Sequence, residues 1–260
     1  MRSTERNSPP EPSVSMVGRV TAILGAFTAE DTTLGVSEIA RRTGLAKSST
    51  SRIVSELVTH QFLERNGSGV RLGLKVFELG ETAARPRDLR KLALASMSDL
   101  RHAVNLTVHL AVLERGEVVY IEILPARGTP RLPSRVGGRM PAHATGLGKA
   151  LLAYADPHLV DELLSGELRR LGPNTVTDPA RLHRELARVR TSGVAYEREE
   201  SGAGIACAAA CIRSVSGEPV AAISAAGWMD DVDVRRVGPA VLTAAQAITR
   251  QVERRPTLRL

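Results

Sequence analysis

Apolar residues in the N-terminal region recur at helical spacing in three successive segments. The first, residues 14–29, places four of them on one side of a helix: Val20, Ile23, Leu24 and Phe27. A second short helix, residues 36–43, ends at Gly44, because glycine readily takes the left-handed conformation that terminates a helix. A third runs from about Lys47 to His60. Three helices with a glycine-containing turn between the last two predict a helix-turn-helix.

Two short strand-like runs follow the third helix. Residues 62–65 and 70–73 flank a polar turn that contains Asn66-Gly67, and an Asn-Gly pair in this position is typical of a β-hairpin. The hairpin would form the wing of a winged helix-turn-helix. Helical spacing resumes at residues 74–84, and the segment 85–87 interrupts it before another helix over residues 88–104. We place the domain boundary at Pro86.

The remaining sequence alternates strands with helices. Residues 106–113 and 117–124 predict a hairpin, a further strand lies near 131–136, and two late strands cover 205–213 and 219–226. Helices are expected at 145–154, 157–164 and 232–253. Asp178 followed by Pro179 predicts the start of another helix, which ends at Gly193. The pattern favours an α+β domain in which helices pack around an antiparallel sheet.

Composition narrows the class of protein. The 260 residues carry a net charge of +7, which favours an anionic partner such as nucleic acid. Two cysteines are too few for a disulfide framework, and no segment approaches the about 18 consecutive apolar residues of a membrane span. The polar, proline-containing N-terminus is unlike a signal peptide. We therefore expect a cytoplasmic protein with no membrane partner.

The exposed face of the third helix carries cations and hydroxyls near its start, with no acid between Lys47 and Arg52. Such side chains contact phosphates, and arginine reads guanine when a helix lies in the major groove. A solvated helix face is the alternative, but the helix-turn-helix spacing and the basic hairpin favour DNA. The predicted DNA-binding residues are Arg41, Arg42, Lys47, Ser48, Ser49, Thr50, Arg52, Arg65 and Arg71.

Nucleotide-binding loops are disfavoured. Residues 143–150 fail the phosphate-loop pattern, because His143 stands where the first glycine is required and Ala150 where a hydroxyl should hold magnesium. Residues 202–204 lack the third glycine of a dinucleotide fingerprint and lead into a strand. We predict no cofactor.

An enzymatic alternative would make Cys207 a nucleophile with His143 or His109 as its base. A lone cysteine is more commonly a small buried side chain. Cys207 and Cys211 would lie on one face of a strand, but no second pair of ligands accompanies them, so no metal site is predicted. Four histidines are assigned structural or exposed positions: His102, His143, His158 and His183.

From about Val14 to Glu253 the chain resembles the IclR family of bacterial transcriptional regulators. The resemblance is carried by the order and spacing of six short motifs, at residues 37–40, 43–50, 71–73, 141–153, 199–200 and 205–212. It implies an N-terminal winged helix-turn-helix, a linker helix, a C-terminal GAF-like domain that binds a small organic effector, and a dimer or a dimer of dimers on DNA. The expected division is a disordered lead at 1–13, a DNA-binding domain at 14–73, a linker helix at 74–86 and an effector-binding domain at 87–260.

The resemblance also implies where the effector binds. The positions that match the family's ligand site are Gly146, Leu147, Glu197, Cys207 and Ser224. The chain departs from the family pattern at Glu197, where aspartate is more common, and at Ala226, where a second serine often stands. Both changes alter what the pocket can pair, so no relative's ligand is carried over. Backbone amides at the start of the helix that opens at Gly146 would suit an anionic effector.

These observations together predict a transcriptional regulator, most simply a repressor, and not an enzyme. Its partners would be double-stranded operator DNA, a small organic effector and a second copy of the chain, in a homodimer or tetramer. The alternative is a small-molecule sensory or cysteine-dependent enzymatic domain, for which the basic helix serves only as an interaction surface.

Overall fold

A computed structural model describes residues 15–28, 30–128 and 132–254. The predicted lead, residues 1–13, lies outside the described residues. Contacts divide the chain after Ala83 into two compact units. In the described part of the chain, none of the helices is both long and apolar enough to cross a membrane.

The N-terminal unit is a helix-turn-helix followed by a hairpin. Its elements are α1 (Met16–Gly25), α2 (Val36–Thr43), α3 (Lys47–Thr59), β1 (Leu63–Asn66), β2 (Gly69–Leu72) and α4 (Leu74–Thr82). Gly44 ends α2 with a φ of 70°, as its sequence position predicts. The core between these elements is aliphatic and includes Ile23, Ile39, Ile53, Leu57 and Val70.

The first helix is shorter than residues 14–29. It ends at Gly25, and beyond it the Asp31 carboxylate accepts hydrogen bonds from both the amide and the hydroxyl of Thr28, at 2.8 and 2.7 Å. These bonds hold the chain in a turn where the apolar spacing alone suggested further helix.

The wing is confirmed. β1 and β2 pair antiparallel from Leu63 opposite Leu72 to Asn66 opposite Gly69, and Gly67 in the turn has a φ of 55°. Leu34, which precedes α2, bridges to Val70 and extends the hairpin.

The C-terminal unit is built on a six-stranded antiparallel sheet in the order β5-β4-β3-β8-β7-β6. Its strands are β3 (Thr107–Glu114), β4 (Glu117–Leu124), β5 (Arg139–Pro141), β6 (Ala195–Arg198), β7 (Ile205–Arg213) and β8 (Pro219–Trp228). Its helices are α5 (Ala84–Val104), α6 (Gly146–Leu152), α7 (Pro157–Ser165), α8 (Pro179–Ser192) and α9 (Val234–Glu253). This α+β arrangement agrees with the sequence prediction.

Both faces of the sheet are buried, and β7 shows how the sequence divides between them. Its alternate residues Ala206, Ala208, Ala210 and Ile212 belong to a core with α5 and α9. Cys207, Ala209 and Cys211 point the other way, into a core with α6, α7 and α8. The small side chains of β7 let helices approach the sheet closely on both sides.

Three predicted elements need correction. The strand expected near 131–136 lies instead at β5. Gly137 turns the chain with a φ of 74°. Its amide donates to the Tyr120 carbonyl and the Gly138 carbonyl accepts from the Tyr120 amide, so pairing with β4 begins only at this turn. The short edge strand β6 was missed. The helix break expected at residues 85–87 falls at Ala83, and α5 already begins at Ala84. Proline is tolerated in the first turn of a helix, because the amide that it lacks would have no partner there.

Candidate functional site

The start of α3 presents four of the nine predicted DNA-binding side chains at the surface. Lys47, Ser48 and Arg52 are exposed and Ser49 is half-buried, with no acid in the first turn. The prediction that Thr50 faces outward is wrong: it is fully buried, and its hydroxyl donates to the Ala46 carbonyl at 3.1 Å. Its position one turn before Ile53 and Val54 places it on the core side of the helix, which the run of hydroxyls in the sequence concealed.

Arg41 and Arg42 differ in how free they are. Arg42 Nη1 contacts Asp31 at 2.6 Å and the Ala26 carbonyl at 2.9 Å, while Nε contacts Glu38 at 2.8 Å. Arg41 contacts only Glu38 among these groups, and 72% of its side chain is exposed. The two arginines lower the pKa of Glu38 to about 2, and Arg42 likewise lowers that of Asp31. Arg42 therefore ties α2 to the turn after α1.

The wing contributes two exposed arginines. Arg65 lies on β1 and Arg71 on β2, where Arg71 Nε donates to Glu64 at 2.6 Å. This pair is about half exposed on both sides, so it competes weakly with a phosphate. Both arginines remain predictions as DNA contacts.

A cavity of about 290 Å³ lies in the C-terminal unit between the sheet and the start of α6. Four of the five residues assigned to the effector site line it: Leu147, Glu197, Cys207 and Ser224. Their convergence follows from the antiparallel register, which sets Glu197 opposite Cys207 and Cys207 opposite Ala226. Ala226, the departure from the family pattern, also lines the cavity.

Gly146, the fifth assigned residue, lies directly behind this wall. A methyl group at Gly146 would come within 2.9 Å of Cys207 Sγ, and within 3.5 Å of Ala209 and 3.6 Å of Glu197. Glycine at this position lets the helix start against the sheet, so its contribution to the cavity is to set the distance between α6 and β7.

His109 is one of several polar cavity residues that the predicted effector site did not include. Its Nε2 hydrogen-bonds with Ser134 Oγ at 2.8 Å and its Nδ1 with Ser224 Oγ at 3.4 Å. Burial lowers the pKa of His109 to about 4, so the ring is neutral at physiological pH. Its ring also packs against Tyr120, with centroids 5.3 Å apart. The available signal was a single histidine within the otherwise apolar run from Val108 to Leu113.

The acid and the thiol of the cavity are both held away from water. Burial raises the pKa of Glu197, although the amide and hydroxyl of Ser201 donate to its Oε1 at 2.9 and 2.6 Å. Burial also raises the pKa of Cys207, which disfavours the thiolate that a nucleophilic cysteine requires. The enzymatic alternative gains no support from this geometry. The cavity instead offers polar donors and acceptors to a bound molecule, among them the Ser224 hydroxyl and the Arg135 guanidinium.

A charged cluster lies on the other side of α6. The Lys149 ammonium is fully buried and donates to Glu185 Oε1 at 2.5 Å, to Glu200 Oε1 at 2.7 Å and to the Tyr196 carbonyl at 2.8 Å. Burial alone would lower the pKa of Lys149, but the two carboxylates keep it above its ordinary value. Burial raises the pKa of Glu200 to about 7, although the neighbouring Lys149 ammonium lowers it.

The two cysteines do not assemble a metal site with neighbouring ligands. Cys207 and Cys211 are both buried, and the described residues contain no group of three His, Cys, Asp or Glu side chains suited to a metal ion. His143 is buried in a structural contact, with Nε2 donating to the Arg169 carbonyl at 3.0 Å.

Comparison with known proteins identifies both units. Residues 16–67 match the model of the IclR helix-turn-helix domain, and residues 81–254 match that of the C-terminal domain of bacterial transcriptional regulator IclR. The HTH-type transcriptional regulator XynR of Escherichia coli is 30% identical over 225 residues, which cover 85% of this chain and 89% of that protein. Transcriptional repressor IclR of the same organism is 30% identical over 224 residues, 83% of this chain and 82% of the repressor.

Solved structures agree with the sequence matches. An IclR homolog from Microbacterium hydrocarbonoxydans, crystallised with 4-hydroxybenzoate, superposes with a TM-score of 0.84 at 36% identity, covering 92% of this chain and 99% of that one. The Thermotoga maritima IclR superposes with a TM-score of 0.74 at 27% identity, covering 91% and 98%. Because the C-terminal family model alone matches more than half of the chain, the chain belongs to the IclR family of transcriptional regulators, with a helix-turn-helix domain and an effector-binding domain.

Proposed function

We propose that this chain is a repressor whose affinity for operator DNA is set by a small organic molecule bound in the cavity beside Cys207. The observation that carries the proposal is the pairing of two features in one chain. One is an α3 whose exposed start presents Lys47 and Arg52, and the other is a cavity of about 290 Å³ in the second unit with polar side chains in its wall.

The DNA-binding part rests on the chemistry of the exposed residues. Lys47 supplies a cation to the phosphate backbone, Ser48 and Ser49 supply hydroxyl donors, and Arg52 can reach a base edge in the major groove. Arg65 and Arg71 of the wing would contact the flanking backbone. Repression is the preferred outcome because the relatives named repressors include the IclR protein of E. coli and the acetate operon repressor of Salmonella typhimurium.

The effector is proposed to be a small organic acid or alcohol about the size of one ring. The cavity is at the lower end of the range of about 300–1,000 Å³ that is usual for ligand pockets. His109, Ser224 and Glu197 offer orienting hydrogen bonds in its wall, while Arg135 offers a positive charge for a carboxylate. The structural relative that holds 4-hydroxybenzoate suggests this acid as the first probe.

We also propose that the chain works as a dimer. The helix α4 buries none of its residues within its own unit, and three of its large apolar side chains are exposed: Leu74 at 68%, Phe77 at 63% and Leu79 at 47%. A second copy of the chain would cover this surface and would present two recognition helices to a palindromic operator.

The experiment compares operator binding with and without 4-hydroxybenzoate for the wild type and a Ser224→Phe variant. A ligand changes operator affinity only if it binds the DNA-competent and DNA-incompetent states differently, so the wild type should show a dose-dependent loss of binding. Ser224→Phe should fill the cavity and remove the response while ligand-free binding persists. Ser216→Phe, at an exposed turn, is the matched control and should respond as the wild type does.

If Ser224→Phe does not fold, Ser224→Ala gives the second test, with a ligand response shifted to higher concentration. A variant with a filled cavity and an unchanged dose-response would contradict the proposed site. If 4-hydroxybenzoate has no effect on the wild type, mass spectrometry of small molecules that copurify with the chain supplies the next probe.

A further inference from the structure

The charged cluster beside α6 contains more acids than bases. We call it the Lys149 cluster, and it consists of Lys149, Glu185, Glu197 and Glu200. The ammonium of Lys149 donates to Glu185 Oε1 of α8 at 2.5 Å and to Glu200 Oε1 at 2.7 Å. Glu197 on β6 is near enough for this ammonium to lower its pKa. With every acid ionised, one cation would therefore face three anions.

Burial makes this excess of negative charge costly. Lys149 is fully buried, and Glu197 and Glu200 are 3% and 7% exposed. A buried carboxylate that lacks a full set of partners is destabilising, and a like charge beside it favours the neutral acid. Acids that interact this closely titrate as a group, and the first proton to bind relieves part of their mutual repulsion.

The hydrogen bonds indicate which oxygen receives the proton. Glu197 Oε1 accepts from the amide and the hydroxyl of Ser201, and the Glu200 amide donates to the same carboxylate. Glu200 Oε1 accepts from Lys149, but its Oε2 is buried and has no hydrogen-bond partner in the part of the chain that the structure describes. An oxygen that is closed to solvent and lacks a donor carries a negative charge poorly. In agreement, burial raises the pKa of Glu200 to about 7.

The other charged and titratable groups around Glu200 do not balance the cluster. Three arginines border an open depression that Glu200 also borders: Arg181, Arg198 and Arg235. They are exposed, so water and salt screen their charges, and among the ion pairs of the described residues none joins them to Glu200. On the cavity side, His109, Tyr120 and Cys207 are neutral at physiological pH, because burial shifts the pKa of each toward the uncharged form.

We propose that Glu200 is partly protonated at neutral pH, and that an anionic effector completes its protonation when it binds in the neighbouring cavity. Glu197 links the two sites, because it belongs to the Lys149 cluster and also lines the cavity. An anion beside Glu197 adds negative charge, and a proton from the solvent offsets it. The affinity for the effector then falls as the pH rises above 7. This link rests on the proposed function of the cavity, whereas the protonation of Glu200 does not.

The proton on Glu200 is tested without a ligand. Urea unfolding is compared from pH 4.5 to 8 for the wild type and for Glu200→Gln, which resembles the neutral acid in shape. With a pKa of about 7, the folded chain binds more protons than the unfolded chain between pH 4.5 and 7. The wild type should therefore lose stability relative to Glu200→Gln as the pH rises through this range. Parallel profiles would overturn the proposal. Glu162→Gln, at an exposed acid of α7, is the matched control and should run parallel to the wild type.

Infrared difference spectra of the wild type give a measurement that needs no variant. A protonated carboxyl group absorbs apart from a carboxylate, so the band of a buried acid should disappear as the pH rises through about 7. A spectrum without such a band at pH 6 would overturn the proposal even if Glu200→Gln did not fold.

The link to the cavity is tested by calorimetric titration of the full chain at pH 7.5. Phosphate and Tris buffers release protons with different heats, so the difference between the two titrations counts the protons that are taken up. Binding of 4-hydroxybenzoate should take up about half a proton or more per molecule. The uncharged 4-hydroxybenzamide should bind without uptake, and Glu200→Gln should bind the acid without uptake.

Two kinds of result would overturn the link. One is binding of 4-hydroxybenzoate with no proton uptake, or with equal uptake in Glu200→Gln or by the amide. The other is a wild type that binds neither compound at millimolar concentration, and in that case the unfolding and infrared measurements still decide the state of Glu200. The proposed function fails on different evidence, namely an operator affinity that does not respond to a molecule bound in the cavity.

Discussion

Gly146 approaches Cys207 so closely that a methyl group at Gly146 would lie 2.9 Å from Cys207 Sγ. No carbon rests at that distance from sulfur without displacement, and an overpacked contact of this kind costs about 1–3 kcal/mol. We predict that Gly146→Ala lowers the stability of the C-terminal unit. Trp228, the single tryptophan of the sequence, reports urea unfolding of that unit by fluorescence.

The double variant separates the clash from other effects of alanine. In a Cys207→Ala background the sulfur is gone, and the next neighbours lie at ordinary contact distances of 3.5 and 3.6 Å. Gly146→Ala should then cost much less than it does in the wild type, because the close contact with sulfur is gone. Additive effects of the two substitutions would show that the contact is not coupled.

A second prediction distinguishes the two arginines that end α2. Arg42 joins Asp31, Glu38 and the Ala26 carbonyl, whereas Arg41 contacts Glu38 from a largely exposed position. Arg42→Gln should therefore accelerate hydrogen exchange of the α2 amides more than Arg41→Gln does. Equal hydrogen exchange in the two variants would contradict the structural role of Arg42. It would then favour the predicted contact of Arg42 with DNA.

The buried His109 should give the C-terminal unit a measurable pH dependence. Its pKa falls from 6.5 to about 4 on folding, so the unfolded chain binds more protons than the folded chain between these values. The stability that neutral His109 contributes is complete above pH 6.5 and is lost as the pH falls toward 4. A fall from 6.5 to about 4 corresponds to a loss of about 3 kcal/mol.

The measurement compares urea unfolding of the wild type and His109→Gln from pH 4 to 7.5. The difference between their free energies of unfolding should grow as the pH rises through this window, since other titrating groups are common to both chains. Parallel profiles would show that His109 keeps an ordinary pKa in the folded protein.

A fourth prediction tests the proposed dimer. Phe77→Glu places a charge in the middle of the exposed apolar side chains of α4, where a second chain would have to bury it. Sedimentation at micromolar concentration should show dimers for the wild type and for Lys75→Glu, and monomers for Phe77→Glu. A wild-type monomer, free and on DNA, would exclude the dimer altogether.

Local sequence signals predicted much of the fold because the signals have local causes. Gly44 and Gly193 both adopt the left-handed conformation that ends a helix, with φ of 70° and 77°. Asp178 and Pro179 begin α8 at the predicted residue. By contrast, β6 is an edge strand of four residues whose pairing with β7 depends on tertiary register. Four residues of alternating buried and exposed side chains are too few to identify β6 as a strand from the sequence alone.

The site was predictable only in part for the same reason. Family resemblance located Leu147, Glu197, Cys207 and Ser224, which converge on the cavity. His109 joins them through the pairing of β3 with β8, where it lies opposite Ser224. That register is a property of the folded sheet. The burial of Thr50 was equally hidden, because a threonine whose hydroxyl bonds to its own helix backbone is as compatible with the core as with the surface.

The most direct test of the central claim is the affinity of the full chain for DNA upstream of its own gene, in competition with random DNA at physiological salt. The account predicts a preferred, imperfectly palindromic site that the wild type binds about 10³-fold or more tightly than random DNA. Arg52→Ala should weaken that preference by about 1–3 kcal/mol, and Lys47→Ala should reduce the salt dependence. Thr50→Val, a change on the buried side of α3, should retain the preference. A folded wild type with no preferred site, or a folded Arg52→Ala variant with unchanged preference, would contradict the account.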